Sequence, residues 1–137
     1  MTARHRIAAY AWAGPNTLLG VVAGLVVLVL GGRLRVVRGV LEFDGGWFGK
    51  LMNCAPPFSI GAITFGHVIL GINGSELDAA RLHEHVHVAQ YEAWGPLFLP
   101  AYAASSLWQV LRGRRAYRDN FFERKAFAVR PDTRATA

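Results

Sequence analysis

Cysteine is nearly absent: Cys54 is the only one in 137 residues, so no disulfide can form within the chain. Cys54 reads as a small buried hydrophobe. Acidic side chains are also few, 9 against 15 basic, giving a formal charge of +6. The arginines lack the interleaved aromatics of a nucleic-acid surface, so nucleic acid is not an expected partner. Residues 7–32 carry no charged side chain. No small-x-small cleavage site follows them, because Gly31-Gly32 leads directly into arginines, which argues against a cleaved secretory signal. No histidine lies beyond His87. The length excludes more than one small domain.

What is present begins with that uncharged run. About 20 apolar residues cross a bilayer core, so one transmembrane helix is expected at roughly residues 15–32. Pro15 suits its first turn, and Tyr10 and Trp12 suit an interfacial belt. Gly20 and Gly24 form a Gly-x-x-x-Gly pair that offers a homodimer contact. Arg33, Arg35 and Arg38 outnumber Arg4 and Arg6, which places the following domain on the cytoplasmic side of a single-pass membrane protein. The expected organisation is a tail and anchor over 1–33, a folded domain over 34–129 and a disordered tail over 130–137.

Residues 34–43 read as one strand with a bulge at Gly39, and Trp47 to Met52 as a short second strand after the Asp44-Gly45-Gly46 turn. Ala55-Pro56-Pro57 breaks the chain. Residues 62–72 read as a third strand, with Gly66 at a place of close backbone approach. Ser75 is the expected N-cap of a helix over 76–93, which Gly95-Pro96 stops. Residues 97–111 form a short apolar helix, either lying in the interface or covering the preceding helix. After a basic turn, Asp119 or Asn120 caps a last helix over 121–129.

The helix over 76–93 carries His83-Glu84-His85-Val86-His87, a His-Glu-x-x-His pattern. Residues four apart share one helix face, so His83 and His87 can bind one zinc ion, with Glu84 beside them as general base. His85 points to the opposite side. A third histidine six residues on is absent, because position 93 is Ala, so a carboxylate must complete the set. Glu92, Asp119, Glu123 and Asp132 are available. Glu123 is favoured because it starts a separate helix that can cross the first, although the N3 place of a capping box would also explain it. Gln90 lies on the ligand face and can support the ligands. Tyr117, Asn120 and His67 are candidates to stabilise an oxyanion.

The runs HEHVHVAQYEAWGPLFLPAY and YRDNFFERKA resemble a group of small bacterial membrane-associated proteins. They also resemble a minimal gluzincin, the zinc-peptidase class with a glutamate third ligand. That resemblance implies an α+β zincin-like domain in a bacterial inner-membrane protein, with zinc on His83, His87 and Glu123 and with Glu84 catalytic. Glu123 with Ala126 echoes the Glu-x-x-Ala of that class, while Phe127 stands where an aspartate would follow. The expected function is zinc-dependent hydrolysis of peptide bonds, a peptide lying along the strand near residues 64–68. Two other readings remain: a non-catalytic membrane protein or complex subunit with a structural or vestigial zinc site, and an interfacial lipid-binding protein.

Overall fold

Two tight reversals shape the sheet. The structure, a computed structural model, describes residues 2–53 and 61–129. Arg38 and Gly39 both take positive φ, 52° and 76°, as a two-residue hairpin turn requires. The expected single strand over 34–43 is therefore a hairpin, β1 (Arg33–Val37) and β2 (Val40–Asp44). Gly66 turns at φ 59° and divides the expected third strand into β3 (Ala62–Phe65) and β4 (Val68–Gly71). The strand order is β1-β2-β4-β3, with β2 and β4 parallel and the other neighbours antiparallel. The fold is α+β with a mixed sheet. Cys54, the Ala55-Pro56-Pro57 break, Asp132 and the tail from 130 lie outside the described residues.

Trp47 to Met52 is helical rather than extended, within α2 (Gly46–Asn53). Six residues do not separate a period of 2 from one of 3.6. Phe48 packs under α1 while Trp47 and Leu51, four apart, face outward. The expected helix over 76–93 is α3 (Gly74–Trp94). Its cap is Asn73 rather than Ser75, and the Asn73 side chain accepts from the Glu76 amide at 2.8 Å. A short 3-10 turn over Gly95–Leu97 leads into α4 (Phe98–Leu111). After the basic turn comes α5 (Phe121–Ala128), capped by Asn120.

Alternation along the strands gives the sheet two apolar faces. Leu41, Phe43, Val68 and Leu70 turn to the long first helix, α1 (Ala3–Val29). Val40, Ala62 and Ile69 turn to Leu77 and Val88 of α3. The α3 face also buries Glu42, which accepts two hydrogen bonds from the Arg81 guanidinium at 2.9 and 3.0 Å. A third cluster joins Ala13 of α1 to Tyr91, Phe98 and Phe122.

Helix α1 is long and apolar enough to cross a membrane. It is also a layer of the fold, so a boundary at residue 33 does not separate it from the rest. Its buried residues Ala13, Asn16, Gly20, Gly24 and Val27 form one stripe against the domain. A Cβ at Gly20 would lie 2.6 Å from Val68 Cβ and 2.9 Å from the Phe65 carbonyl oxygen. A Cβ at Gly24 would strike the Phe43 ring. The close approach expected between two copies through Gly20 and Gly24 is thus made to β4 and β2 of the same chain, and that face is covered. Tyr10 and Trp12 turn their polar atoms inward, donating to the carbonyls of Gly39 and Ala93. Asn16 donates to the Gly95 carbonyl at 2.9 Å. The close approach expected at Gly66 is made by Thr17, with which any side chain there would collide.

If α1 is a layer of the core, Gly20→Leu lowers stability in denaturant unfolding by at least about 2 kcal/mol, because the Phe65 backbone cannot give way. Val22→Ala, on the outer face, changes it by less than about 0.5 kcal/mol. Equal effects would show that α1 is only an appended anchor.

Candidate metal centre

His83 and His87 lie one turn apart on α3, and α5 brings Glu123 to them. Glu123 Oε2 is 3.0 Å from His83 Nε2 and 3.2 Å from His87 Nε2, and the two imidazole nitrogens are 3.2 Å apart. Ligand atoms about 2.0–2.1 Å from a tetrahedral ion stand roughly 3.3 Å from one another. The three atoms therefore form nearly one face of such a tetrahedron. Together these residues can hold a metal ion.

The hydrogen bonds behind the histidines support this use. Gln90 Nε2 donates to the Phe122 carbonyl at 3.0 Å, which turns its Oε1 toward His87 Nδ1 at 2.8 Å. An amide oxygen only accepts, so His87 carries a proton on Nδ1 and, when the ring is neutral, presents a lone pair at Nε2. Protons then satisfy at most two of the three contacts among His83, His87 and Glu123, whereas one cation satisfies all three. Glu123 Oε1 accepts from the Tyr102 hydroxyl at 2.8 Å, which holds its other oxygen on the histidines.

Electrostatics follow the same geometry. Burial raises the Glu123 pKa, but hydrogen bonds from His83 and His87 outweigh it and bring the carboxyl down to about 2. Burial lowers the His87 pKa, and its hydrogen bond to Glu123 more than offsets this, so it stands above the usual histidine value. Glu84, the neighbour of His83, is buried and accepts from Thr64 Oγ1 at 2.7 Å. Burial raises its pKa against the opposing pull of Thr64 and the histidines. A buried carboxyl poised above its ordinary value suits proton transfer near neutral pH.

Two cavities flank the centre. One, of about 160 Å³, is bounded by Thr64, Phe65, Phe98, Tyr102 and Glu123. The other, of about 420 Å³, is bounded by Gly61, His83, Ala126 and Phe127. Ala62, Glu84 and Tyr117 line both, so a groove runs past the centre along β3, the edge strand. Tyr117 is half exposed; burial first, and then the Glu123 and Glu84 carboxylates, push its pKa up to about 12.

Comparison with models of protein families, with curated proteins and with solved structures finds no match to this chain. The centre is therefore interpreted on its own geometry.

The structure brings together His83, Glu84, His87, Gln90, Tyr117 and Glu123. The other expected residues stand elsewhere. His67 bonds Glu92 at 2.7 Å and stacks on Tyr10 at 3.8 Å, against α1. Asn120 is consumed by structure: its oxygen caps α5 at the Phe122 amide, and its nitrogen donates to the Tyr102 carbonyl and to Ser106. Asp119 pairs with Arg115. His85 faces away from the centre, where burial lowers its pKa and its Nε2 has no partner among the described residues. Sequence reasoning missed Tyr102 and Thr64, which bond the two central carboxylates. Neither lies at a spacing from the motif that marks it, and only the fold brings them in.

Gln90→Ala and Tyr102→Phe should each weaken divalent-metal affinity by about 10- to 100-fold, measured by competition with a chelating dye. Wild-type affinity in both variants would show that these hydrogen bonds do not orient ligands. Because the histidines must be neutral to bind and His87 holds its proton more tightly than an ordinary histidine, metal affinity should weaken as the pH falls, starting above about 6.5.

Proposed function

We propose that this protein is a membrane-associated zinc metallopeptidase of the gluzincin kind, with zinc on His83, His87 and Glu123. The observation that carries the reading is the position of Glu84. It adjoins the ligands on α3, is held by Thr64, and faces the groove on both sides of the centre. Two imidazoles and one carboxylate are a donor set suited to zinc with an exchangeable position. Bound zinc supplies a Lewis acid that polarises a carbonyl and acidifies water.

The chain's own residues do the rest. Thr64 holds the Glu84 carboxylate in place, and Glu84 takes the proton of the attacking water and delivers it to the leaving amine. The open edge of β3 pairs with an extended peptide and sets its scissile bond beside Glu84. Tyr117, kept protonated, donates a hydrogen bond to the oxygen on which charge develops. The location that fits the basic flanks is the cytoplasmic side of a bacterial inner membrane, with the chain held there through α1.

A second reading has one observation in its favour: the centre ties the short helix α5 to α3, as a structural ion would. The two readings separate cleanly. Purified protein should carry about one zinc per chain by elemental analysis, and His83→Ala and His87→Ala should lose it. Glu84→Gln should keep the zinc and lower hydrolysis of a fluorescent casein by about 100-fold or more. Zinc retained with hydrolysis unchanged in Glu84→Gln would sink the peptidase reading.

A further inference from the structure

The outer surface of α1 is apolar from Ile7 to Val29. Opposite the stripe that packs on the domain, Ile7, Leu18, Val22, Leu25, Val26 and Val29 are each more than half exposed. At 1.5 Å per residue this outward stripe is roughly 33 Å long, and no charge interrupts it. Register adds a second element. Leu34 and Val36 of β1 pair with Phe43 and Leu41, so they project on the sheet face that α1 covers, and both are exposed. Basic side chains gather at one end of the surface: the hairpin turn that bonds Tyr10 brings Arg38 beside Arg6, with Arg4 further toward the N-terminus, while Arg33 and Arg35 project on the other sheet face and pair with Asp44, Glu42 and Asp78.

Such a stripe is long enough to cross a bilayer, but the inner face of α1 forbids it. Gly20 and Gly24 are in contact with β4 and β2, and Tyr10, Asn16 and Thr17 bond the hairpin turn, Gly95 and His67. A spanning α1 would carry the sheet into hydrocarbon with it. The edge strands β1 and β3 would then leave backbone groups unpaired where no water can reach them. Glu42 and Asp44 on β2 would enter too. The same apolar surface laid flat costs none of this, and it leaves Arg4, Arg6 and Arg38 at its N-terminal end at the level of anionic headgroups.

We propose that the protein is monotopic. The outer face of α1, with Leu34 and Val36, lies in the headgroup–acyl boundary of an anionic bilayer, with the N-terminus and the metal centre on one side of the membrane. The centre is built on α3, which covers the other face of the sheet, so it points to the aqueous phase. This rests on the membrane association argued above and not on the peptidase activity.

The test uses the full chain with Cys54→Ser, carrying a single cysteine at Thr2→Cys or at Arg114→Cys. Sealed inverted inner-membrane vesicles of cells expressing each variant are treated with a membrane-impermeant maleimide. Both positions should label to the same extent without detergent. Labelling of Arg114→Cys alone, with Thr2→Cys appearing only after detergent, would show a spanning helix and overturn the proposal. Purified protein should float with phosphatidylglycerol vesicles and about tenfold less with phosphatidylcholine alone. The triple variant Leu18→Gln, Val22→Gln, Leu25→Gln, with unchanged circular dichroism, should lose flotation by at least about tenfold. No flotation of the wild type defeats the membrane reading as a whole. Undiminished flotation of the triple variant overturns the in-plane seat. Conversion of a vesicle-free dimer to monomer by the same substitutions would assign the face to a second copy instead.

Discussion

The Glu42–Arg81 pair sets the rotation of α3, and the centre depends on that setting. Glu42 lies fully buried on β2, and its carboxylate is reached by both arms of the Arg81 guanidinium. A buried pair of this kind adds little net stability over an apolar substitute, and Arg35 and Asp78 extend it to a four-residue network. Its effect is therefore one of register. With Arg81 turned to β2, the next face of the helix presents Glu84 and Tyr91 to Thr64 on β3. The face after that presents His83, His87 and Gln90 to α5. A different rotation would keep an amphipathic helix on the sheet and scatter the site.

The central arrangement was legible in the sequence because its parts are local. His83 and His87 are one turn apart, and Asn120 three residues before Glu123 announces a helix start. The sequence left open whether Glu123 was a ligand or a capping-box partner; it sits in the first turn of α5, but its carboxylate turns to both histidines and Tyr102 while the Asn120 amide donates to the Tyr117 carbonyl. Tyr102 was not legible, since its bond to Glu123 depends on how α4 folds back after Gly95.

What the sequence left hidden lies in elements whose composition suits two environments. An uncharged helix looks the same whether lipid or a sheet lies against it, and one face of α1 lies against the sheet. Asn16 was the available clue, because a buried amide needs a partner that hydrocarbon does not supply, and it finds Gly95. The hairpin at Arg38-Gly39 was hidden for another reason: a non-glycine residue at positive φ is uncommon, so Arg38 does not advertise a turn.

Helix α5 has eight residues, fewer than a helix needs to persist alone in water. Three residues hold it in place. Asn120 fastens its start to α4, Phe122 enters the aromatic cluster, and Glu123 reaches across to α3. Its place in the fold is thus borrowed from the groups at its first turn. Whatever engages Glu123 and the histidines together also holds α5 to α3, and whatever loosens α5 withdraws the Glu123 carboxylate. Binding at the centre and folding of the C-terminal segment are one equilibrium viewed from its two ends.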